Sequence, residues 1–494
     1  MTDKATETEF LKTVNNRIIE NRTEMLSSLS KLISIPSVAE VPDENPDAIQ
    51  EDAKAGRPFG DAVDGAYRLM LSMGEDEGFS TFDADGYGGH IDYDGTEDGV
   101  IGIIGHLDVV PEGDGWDFEP YCGEVVDGYV LGRGTTDDKG PVVASFYAMK
   151  ALKECGFEPA KTIRLILGLD EETRWKGMEY YLERTPDLPD AGFTPDGDFP
   201  VIRAEKGILT FDIIAKFPKS RGKGLELTSF TGGTAPNAVP DFAKAVISDT
   251  SGGGYDLIRE MVESSAEKNG WDISCRGTGR SLEITARGRA AHAAKPYQGL
   301  NAISILMDFL SGLNFLNDGT MDFVNFYNER IGFNVHGERI GCALEDEDSG
   351  KLMFNAGMIE LDRNAAKLTV NLRYPVSCTG AQVYAGIMEV LDGYGYGIVK
   401  NREQLPINID ADSELVSTLM RAYRANTGDT ESEPLVIGGG TYARAFENVV
   451  AFGARFPGQP ELCHKRNEKI SVDDMVKLAQ IYAEAVYELA KAED

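Results

Sequence analysis

Val100-Ile101-Gly102-Ile103-Ile104-Gly105-His106-Leu107-Asp108 is an apolar run that ends in a histidine and, two residues on, an aspartate. Read as a buried strand, it places residues i and i+2 on one face. Asp108 can then reach the ring nitrogen that His106 does not use for a ligand, the usual arrangement behind a metal-binding imidazole. Further on, Thr162-Ile163-Arg164-Leu165-Ile166-Leu167-Gly168-Leu169 repeats the pattern and runs straight into Asp170-Glu171-Glu172-Thr173. Between them Pro141 opens a helix with Val142, Val143, Phe146, Met149 and Leu152 on one face, ended by Gly156. Buried strands separated by helices indicate an α/β sheet. In such sheets ligands gather at the carboxyl ends of the strands, where His106, Glu171 and Glu172 lie. Asp196 follows in a turn-rich loop before Val201-Ile202.

Working outward, a helix is expected from about Thr8 to Leu32, stopping before Ile35-Pro36-Ser37-Val38. The next twenty or so residues are acidic and contain proline, a surface loop. Asp61 to Asp76 has helical apolar spacing through Val63, Tyr67, Met70 and Leu71, with Gly78 suited to its end. From Ala204 to Lys400 the style changes. Ile208–Phe217, Ser281–Arg287 and Lys367–Tyr374 alternate apolar and polar residues as amphipathic strands, with helical patterns near Tyr255–Lys268 and Asn301–Leu313. After Asp410 the first style returns. Ser413 caps a helix to about Asn426, Pro434–Ile437 and Val449–Phe456 read as strands, and Ser471 starts a last helix. The expectation is an α/β domain formed by residues 1–203 and 401–494, interrupted by an α+β domain at 204–400.

The 494 residues exceed what one hydrophobic core normally supports. The formal charge of −34 argues against nucleic acid or an anionic membrane as partner, since a phosphate surface would be repelled. The N-terminus, Met1-Thr2-Asp3-Lys4-Ala5-Thr6-Glu7, has no apolar leader, and no run approaches the roughly 18 apolar residues of a membrane span. Cys122, Cys155, Cys275, Cys342, Cys378 and Cys463 show no C-x-x-C spacing, which speaks against disulfides and a thiolate zinc site. A cytoplasmic protein is expected.

Singly, each acidic or histidine cluster has a bland reading. A histidine at a strand end is commonly structural, Asp137-Asp138 could be solvated, and Glu171-Glu172 could simply suit a helix start. Their recurrence after buried strands and tight glycine turns is harder to dismiss. Imidazole and carboxylate without thiolate suit zinc, cobalt or manganese. One carboxylate can bridge two ions, and a two-metal centre supplies a nucleophilic water at neutral pH. A further carboxylate must carry the proton to the leaving amine, and two consecutive glutamates could divide that labour.

His106-Leu107-Asp108, Gly132-Arg133-Gly134-Thr135-Thr136-Asp137-Asp138-Lys139-Gly140, Asp170-Glu171-Glu172, Pro195-Asp196 and Cys463-His464-Lys465-Arg466-Asn467-Glu468 occur in that order. Together they resemble the motifs of the co-catalytic di-zinc metallopeptidases, the superfamily of carboxypeptidase G, carnosinase, aminoacylase and bacterial dipeptidases. The Asp-Asp-Lys-Gly-Pro ending, Glu171-Glu172-Thr173-Arg174-Trp175-Lys176-Gly177, Gly438-Gly439-Gly440-Thr441-Tyr442-Ala443-Arg444 and the long insert are most similar to PepV-type dipeptidases, which are Xaa-His dipeptidase- or carnosinase-like. The resemblance implies a catalytic domain with a mixed sheet flanked by helices and a large lid domain at 204–400. It implies that Asp137 bridges two divalent ions across a cis link to Asp138, that His106 and Asp196 complete one site, and that Glu172 and His464 complete the other. Asp108 would orient His106, and Glu171 would be general base and then acid. His292 in Ala290-Ala291-His292-Ala293-Ala294 would stabilise the oxyanion. Asn237, Arg373, Gly439, Gly440 and Thr441 would hold substrate, with Arg373 as the fork for its carboxylate.

The ions implied are zinc, with manganese or cobalt as alternatives, and the substrates small L-dipeptides, with Xaa-His or β-alanyl dipeptides among the candidates. A monomer is implied, because the enlarged lid delivers its histidine within one chain. An N-acyl-amino-acid deacylase or carboxypeptidase of the same superfamily is the alternative reading, and a non-catalytic metal-binding scaffold a remote one. Arg133 and Lys139 read as structural, His90 and His336 as structural or surface residues, and Trp175 as packing or pocket wall.

Overall fold

The computed structural model describes residues 4–40, 56–185, 187–219 and 221–492, so most of the acidic stretch expected as a surface loop lies outside the described residues, at 41–55. The chain divides into two compact units. Residues 1–203, 409–435 and 441–494 form one, and residues 204–408 and 436–440 form the other. Each has its own continuous apolar core.

The first unit is built on a mixed sheet. Its strands run in the order Ser80–Asp83, Gly89–Tyr93, Thr162–Gly168, Val100–His106, Ala191–Thr194, Val449–Ala451 and then Ile202–Glu205, through which the chain leaves the unit. The four strands from Thr162 to Ala451 in this order are mutually parallel; the hairpin 80–93 is antiparallel. Every residue of Val100–His106 is buried, as a parallel strand covered on both faces requires, and this is why it reads as an unbroken apolar run. Helices Lys4–Ile33, Lys139–Glu154 and Val472–Ala490 pack on one another, and the second and third also touch Val100–His106 and Thr162–Gly168.

The helix expected to open at Pro141 begins two residues earlier, at Lys139. Proline is tolerated there because the first N–H groups of a helix have no partner within it. Asp61–Asp76 and its glycine are as expected, with Gly78 at φ 69°. The expected strand Val449–Phe456 is shorter. Pairing stops at Ala451, and the chain turns at Gly453, where φ is 83°. Ser413 and Ser471 cap their helices, accepting from the amides of Val416 and Asp474.

The second unit is an eight-stranded antiparallel sheet. Its order is Asp272–Thr278, Ser281–Arg287, Phe242–Asp249, Leu225–Gly232, Met353–Asp362, Ala365–Tyr374, Gly207–Lys216 and Gly397–Gln404. Leu209, Phe211, Ile213 and Ala215 point into its core together with Leu368, Val370 and Leu372, the period-two alternation seen in the sequence. Gly397–Gln404 still pairs with Gly207–Lys216, so the chain re-enters the first unit at Ile409 rather than at 401. Helices Asp256–Asn269, Ala302–Ser311, Asp318–Arg330 and Gly380–Asp392 complete this unit. Among the described residues, no helix is long and apolar enough to cross a membrane.

Candidate metal centre

His106 is the last residue of its strand and is 1% exposed. Its Nδ1 lies 2.9 Å from the main-chain carbonyl of Asp108. A carbonyl only accepts, so Nδ1 carries a proton, and Nε2 is the nitrogen turned toward the other carboxylates, 3.0 Å from Asp137 Oδ1 and 4.0 Å from Asp196 Oδ2. The expected helper is therefore chiefly the Asp108 backbone, with the carboxylate farther off at 3.4 Å. That carboxylate instead accepts the amides of Glu171 (3.1 Å) and Glu172 (3.0 Å). Asp108 lies past the strand end, which frees its side chain from the strict i, i+2 geometry and lets it tie two strand-end loops together.

Asp137 stands between two imidazoles. Its other oxygen, Oδ2, is 3.1 Å from His464 Nε2, which is also 2.8 Å from Glu172 Oε1. Two overlapping triads result: His106, Asp137 and Asp196, and Asp137, Glu172 and His464, each with its ligand atoms within 4.8 Å of one another. The Asp137–Asp138 peptide is cis. Glu171 belongs to neither triad.

The electrostatics show what this cluster needs. Burial opposes ionisation of Asp137, yet hydrogen bonds from His106 and His464 hold it below the usual carboxylate range. Burial pushes Glu171, Glu172 and Asp138 up, and neighbouring carboxylates push them further. Asp196 is raised to about 7 by burial and by Asp137. His464, despite desolvation, is pushed up to about 11 by Asp137 and Glu172. Acids crowded in low dielectric that hold protons on themselves and on two imidazoles are starved of positive charge. Two oxygen- and nitrogen-lined triads sharing one carboxylate fit divalent ions, which would replace those protons.

Several residues that build the centre were not assigned from sequence. Glu468 is fully buried. Its Oε2 accepts from Arg133 Nη1 at 2.6 Å, and its Oε1 takes the amide (2.8 Å) and hydroxyl (2.9 Å) of Thr136 and the amide of Gly134 (3.1 Å). It thereby fastens the loop of His464 to the loop of Asp137. Arg133, read as structural, is its counter-ion and lies 5.2 Å from the Trp116 ring. Lys139 donates to the carbonyls of Leu32 and Ile35, joining the end of the first helix to the Asp137 loop. Tyr442 is buried against Gly168, where a Cβ would come within 2.2 Å of the ring, and its hydroxyl reaches Asp170 at 3.3 Å. The signal for Glu468 was its place in the Cys463–Glu468 motif. Tyr442 stood within the motif Gly438–Arg444, but nothing in that motif pointed to its packing on Gly168 and Asp170. His90 is buried on the strand Gly89–Tyr93, and in the second unit His336 Nδ1 donates to the Leu352 carbonyl at 2.9 Å.

Thr441, in the first unit, accepts the Ala443 amide and caps a short turn. The other expected substrate-binding residues lie in the second unit. Segments 237–239 and 291–293 pair there as a short antiparallel bridge, which brings Asn237 and His292 together. The Ala294 amide donates to His292 Nδ1 at 3.2 Å, so Nε2 is the protonated nitrogen. Arg373 is 4% exposed on the strand Ala365–Tyr374, and Gly439 and Gly440 lie in the segment 436–440.

Comparison with known proteins agrees with this geometry. The family model "Peptidase family M20/M25/M40" matches residues 102–488. Two relatives named "Putative dipeptidase" cover 96% of this chain: YtjP of Bacillus subtilis (strain 168) is 34% identical with 99% of its own length matched, and a Staphylococcus epidermidis protein is 36% identical with 98% matched. Among solved structures, the di-peptidase Dug1p from Saccharomyces cerevisiae is similar in fold, with a TM-score of 0.57, 14% identity, and 98% of this chain and 99% of that one covered. Aminoacylhistidine dipeptidase from Vibrio alginolyticus gives a TM-score of 0.54 at 15% identity, covering 95% of this chain and 97% of that one. Motif order, metal-type triads and matches spanning most of the sequence converge: the chain belongs to peptidase family M20/M25/M40.

Proposed function

We propose that this protein is a metal-dependent dipeptidase that cleaves small L-dipeptides, acting in the cytoplasm as a monomer. The carrying observation is the pair of triads sharing Asp137, with Glu171 beside them and outside both. In this reading His106, Asp137 and Asp196 hold one divalent ion, and Asp137, Glu172 and His464 the other. Zinc is the ion proposed, with manganese or cobalt suiting the same donors. When bound, such ions lower the pKa of water and polarise a carbonyl oxygen. The Glu171 carboxylate takes the proton from the attacking water and delivers it to the leaving amine. Asp108 fixes Glu171 and Glu172 through their amides while its carbonyl sets the His106 tautomer.

Residues 204–400 are proposed as the lid domain. The protonated Nε2 inferred for His292 supports its assignment as an oxyanion donor, and the pairing of its segment with that of Asn237 supports a shared role in substrate binding. Arg373 as carboxylate fork, and Gly439, Gly440 and Thr441 as substrate contacts, rest on their motifs. Xaa-His and β-alanyl dipeptides belong in the first substrate panel.

The test is Glu171→Gln. Dipeptide hydrolysis should fall about 100- to 10,000-fold with bound metal retained, as loss of general acid–base catalysis entails. Full activity would remove Glu171 from its role. A panel of free dipeptides against N-acetylated amino acids separates the dipeptidase from a deacylase: preference for the blocked substrates would sink the dipeptidase reading. A metal-loaded protein inert toward both would revive the scaffold.

A further inference from the structure

The loop that carries Glu171 is held by a residue that no step of the proposed reaction uses. Trp175 adopts the left-handed backbone region, with φ 63° and ψ 18°, an uncommon conformation for a bulky residue. Its amide donates to the Asp170 carbonyl at 3.2 Å, which folds 170–175 into a tight turn. The conformation sends the indole back over that turn, where Nε1–H donates to the carbonyl of Glu171 at 2.8 Å. The ring meets Tyr442 edge-on, with centroids 5.0 Å apart. Tyr442 is in turn fixed by its packing on Gly168 and its contact with Asp170.

The backbone at Glu171 is thus gripped from both sides. Its amide is taken by the Asp108 carboxylate and its carbonyl by the Trp175 indole. With both peptide groups pinned, rotation of the Glu171 Cα is suppressed and the side chain starts from one fixed origin. Strained backbone persists only where its surroundings over-determine it. Here a strained residue spends its side chain on the carbonyl of one particular glutamate.

We infer that Trp175 is a positioning residue for the reaction: its indole N–H holds the Glu171 backbone so that the carboxylate meets the attacking water. This rests on Glu171 being the general base. It does not require Trp175 to touch substrate or metal. Phenylalanine would keep much of the ring packing and lose the donor. A benzothienylalanine, with sulfur in place of N–H, keeps the bicyclic shape as well.

The experiment compares Trp175→Phe and the benzothienylalanine isostere at position 175 with wild type, each also made in the Glu171→Gln background. Metal per chain and thermal melting are measured beside kcat and KM. The expected result is a loss of about tenfold in kcat, the worth of one hydrogen bond. KM should stay within about twofold, since ground-state binding is not touched. Bound metal should be unchanged, and Trp175→Phe should cost nothing further once Glu171 is Gln, because residues acting as a unit are non-additive. A raised KM at unchanged kcat would make Trp175 a pocket wall and overturn the inference. So would a fully active isostere, or a loss that persists in the Glu171→Gln background. An active isostere beside an inactive Glu171→Gln removes this inference alone; an active Glu171→Gln removes the general-base reading and the inference with it.

Discussion

The two triads share a carboxylate but are built differently. His106 closes a strand buried along its whole length and is 1% exposed, whereas the His464 side chain is 53% exposed on a loop, with φ 61°. The first triad takes its histidine from the hydrogen-bonded sheet, while Asp137 and Asp196 stand on loops. The second depends on a loop held down by Glu468, more than three hundred residues in sequence from the Asp137 loop it grips. A ligand fixed by a strand cannot relax without unpairing the strand, while a loop-borne ligand can swing away. The inequality predicts ions held with unequal tenacity.

The largest expected effect comes from removing each imidazole. His106→Ala should weaken its ion by more than the roughly 10- to 100-fold that loss of an outer partner causes, and abolish hydrolysis. His464→Ala should release one ion and keep the other. In the unaltered protein, a chelator titration followed by metal content should proceed in two phases, the faster belonging to the triad of Glu172 and His464. A single phase would show the two sites to be equivalent and break the comparison.

The next effect sharpens it. Glu468→Ala leaves the Arg133 guanidinium buried without its counter-ion, and breaking such a pair typically costs about 3–5 kcal/mol. Beyond the lowered melting temperature, the second ion should loosen more than the first, because the His464 loop loses its tie to Thr136 and Gly134. Arg133→Met with Glu468→Gln removes both charges and should recover part of the stability. If both ions weaken equally in Glu468→Ala, the loop is not what separates the sites.

The same division decides what was legible in the sequence. The strand Val100–His106 and its ligand announce themselves, since an apolar run bounded by chemistry is local information. The antiparallel unit was readable from alternation at Ile208–Phe217 and Lys367–Tyr374. The ligand set itself came from ordered motifs resembling a family, and those residues converge here into two triads. Long-range ties left no such trace. That Asp108 spends its carboxylate on the amides of Glu171 and Glu172, or that Glu468 joins two loops, depends on tertiary placement that periodicity does not encode. The strand ending at Ala451 was overextended for a similar reason: Val449-Val450-Ala451-Phe452 is uniformly apolar, and the turn at Gly453 is set by packing on Phe199 and Tyr482.

A third histidine tests how far burial alone determines behaviour. His90 and His106 flank the same strand, opposite Ile166 and Gly168, and both are buried. Their protonation runs in opposite directions. At His106 the carboxylates of Asp108 and Asp137 overcome desolvation and hold the pKa well above its ordinary value. At His90 desolvation, with the Arg164 guanidinium adding to it, drives the pKa down to about 3. The nearby Asp92 does not rescue it, because Arg164 already grips that carboxylate with bonds of 2.8 and 2.7 Å, and the Tyr181 hydroxyl at 2.8 Å and the stacked Phe82 ring are uncharged. The folded protein therefore keeps His90 neutral where the unfolded chain would protonate it. Its contribution is fully present above the unfolded pKa of roughly 6.5 and is lost as pH falls from there toward 3, at up to about 1.4 kcal/mol per pH unit. Urea unfolding between pH 7 and 5 should show a shallower decline in His90→Gln than in wild type, whatever the variant's absolute stability. Parallel slopes would mean that the imidazole titrates alike in the folded and unfolded chain and that the contrast with His106 lies in position alone.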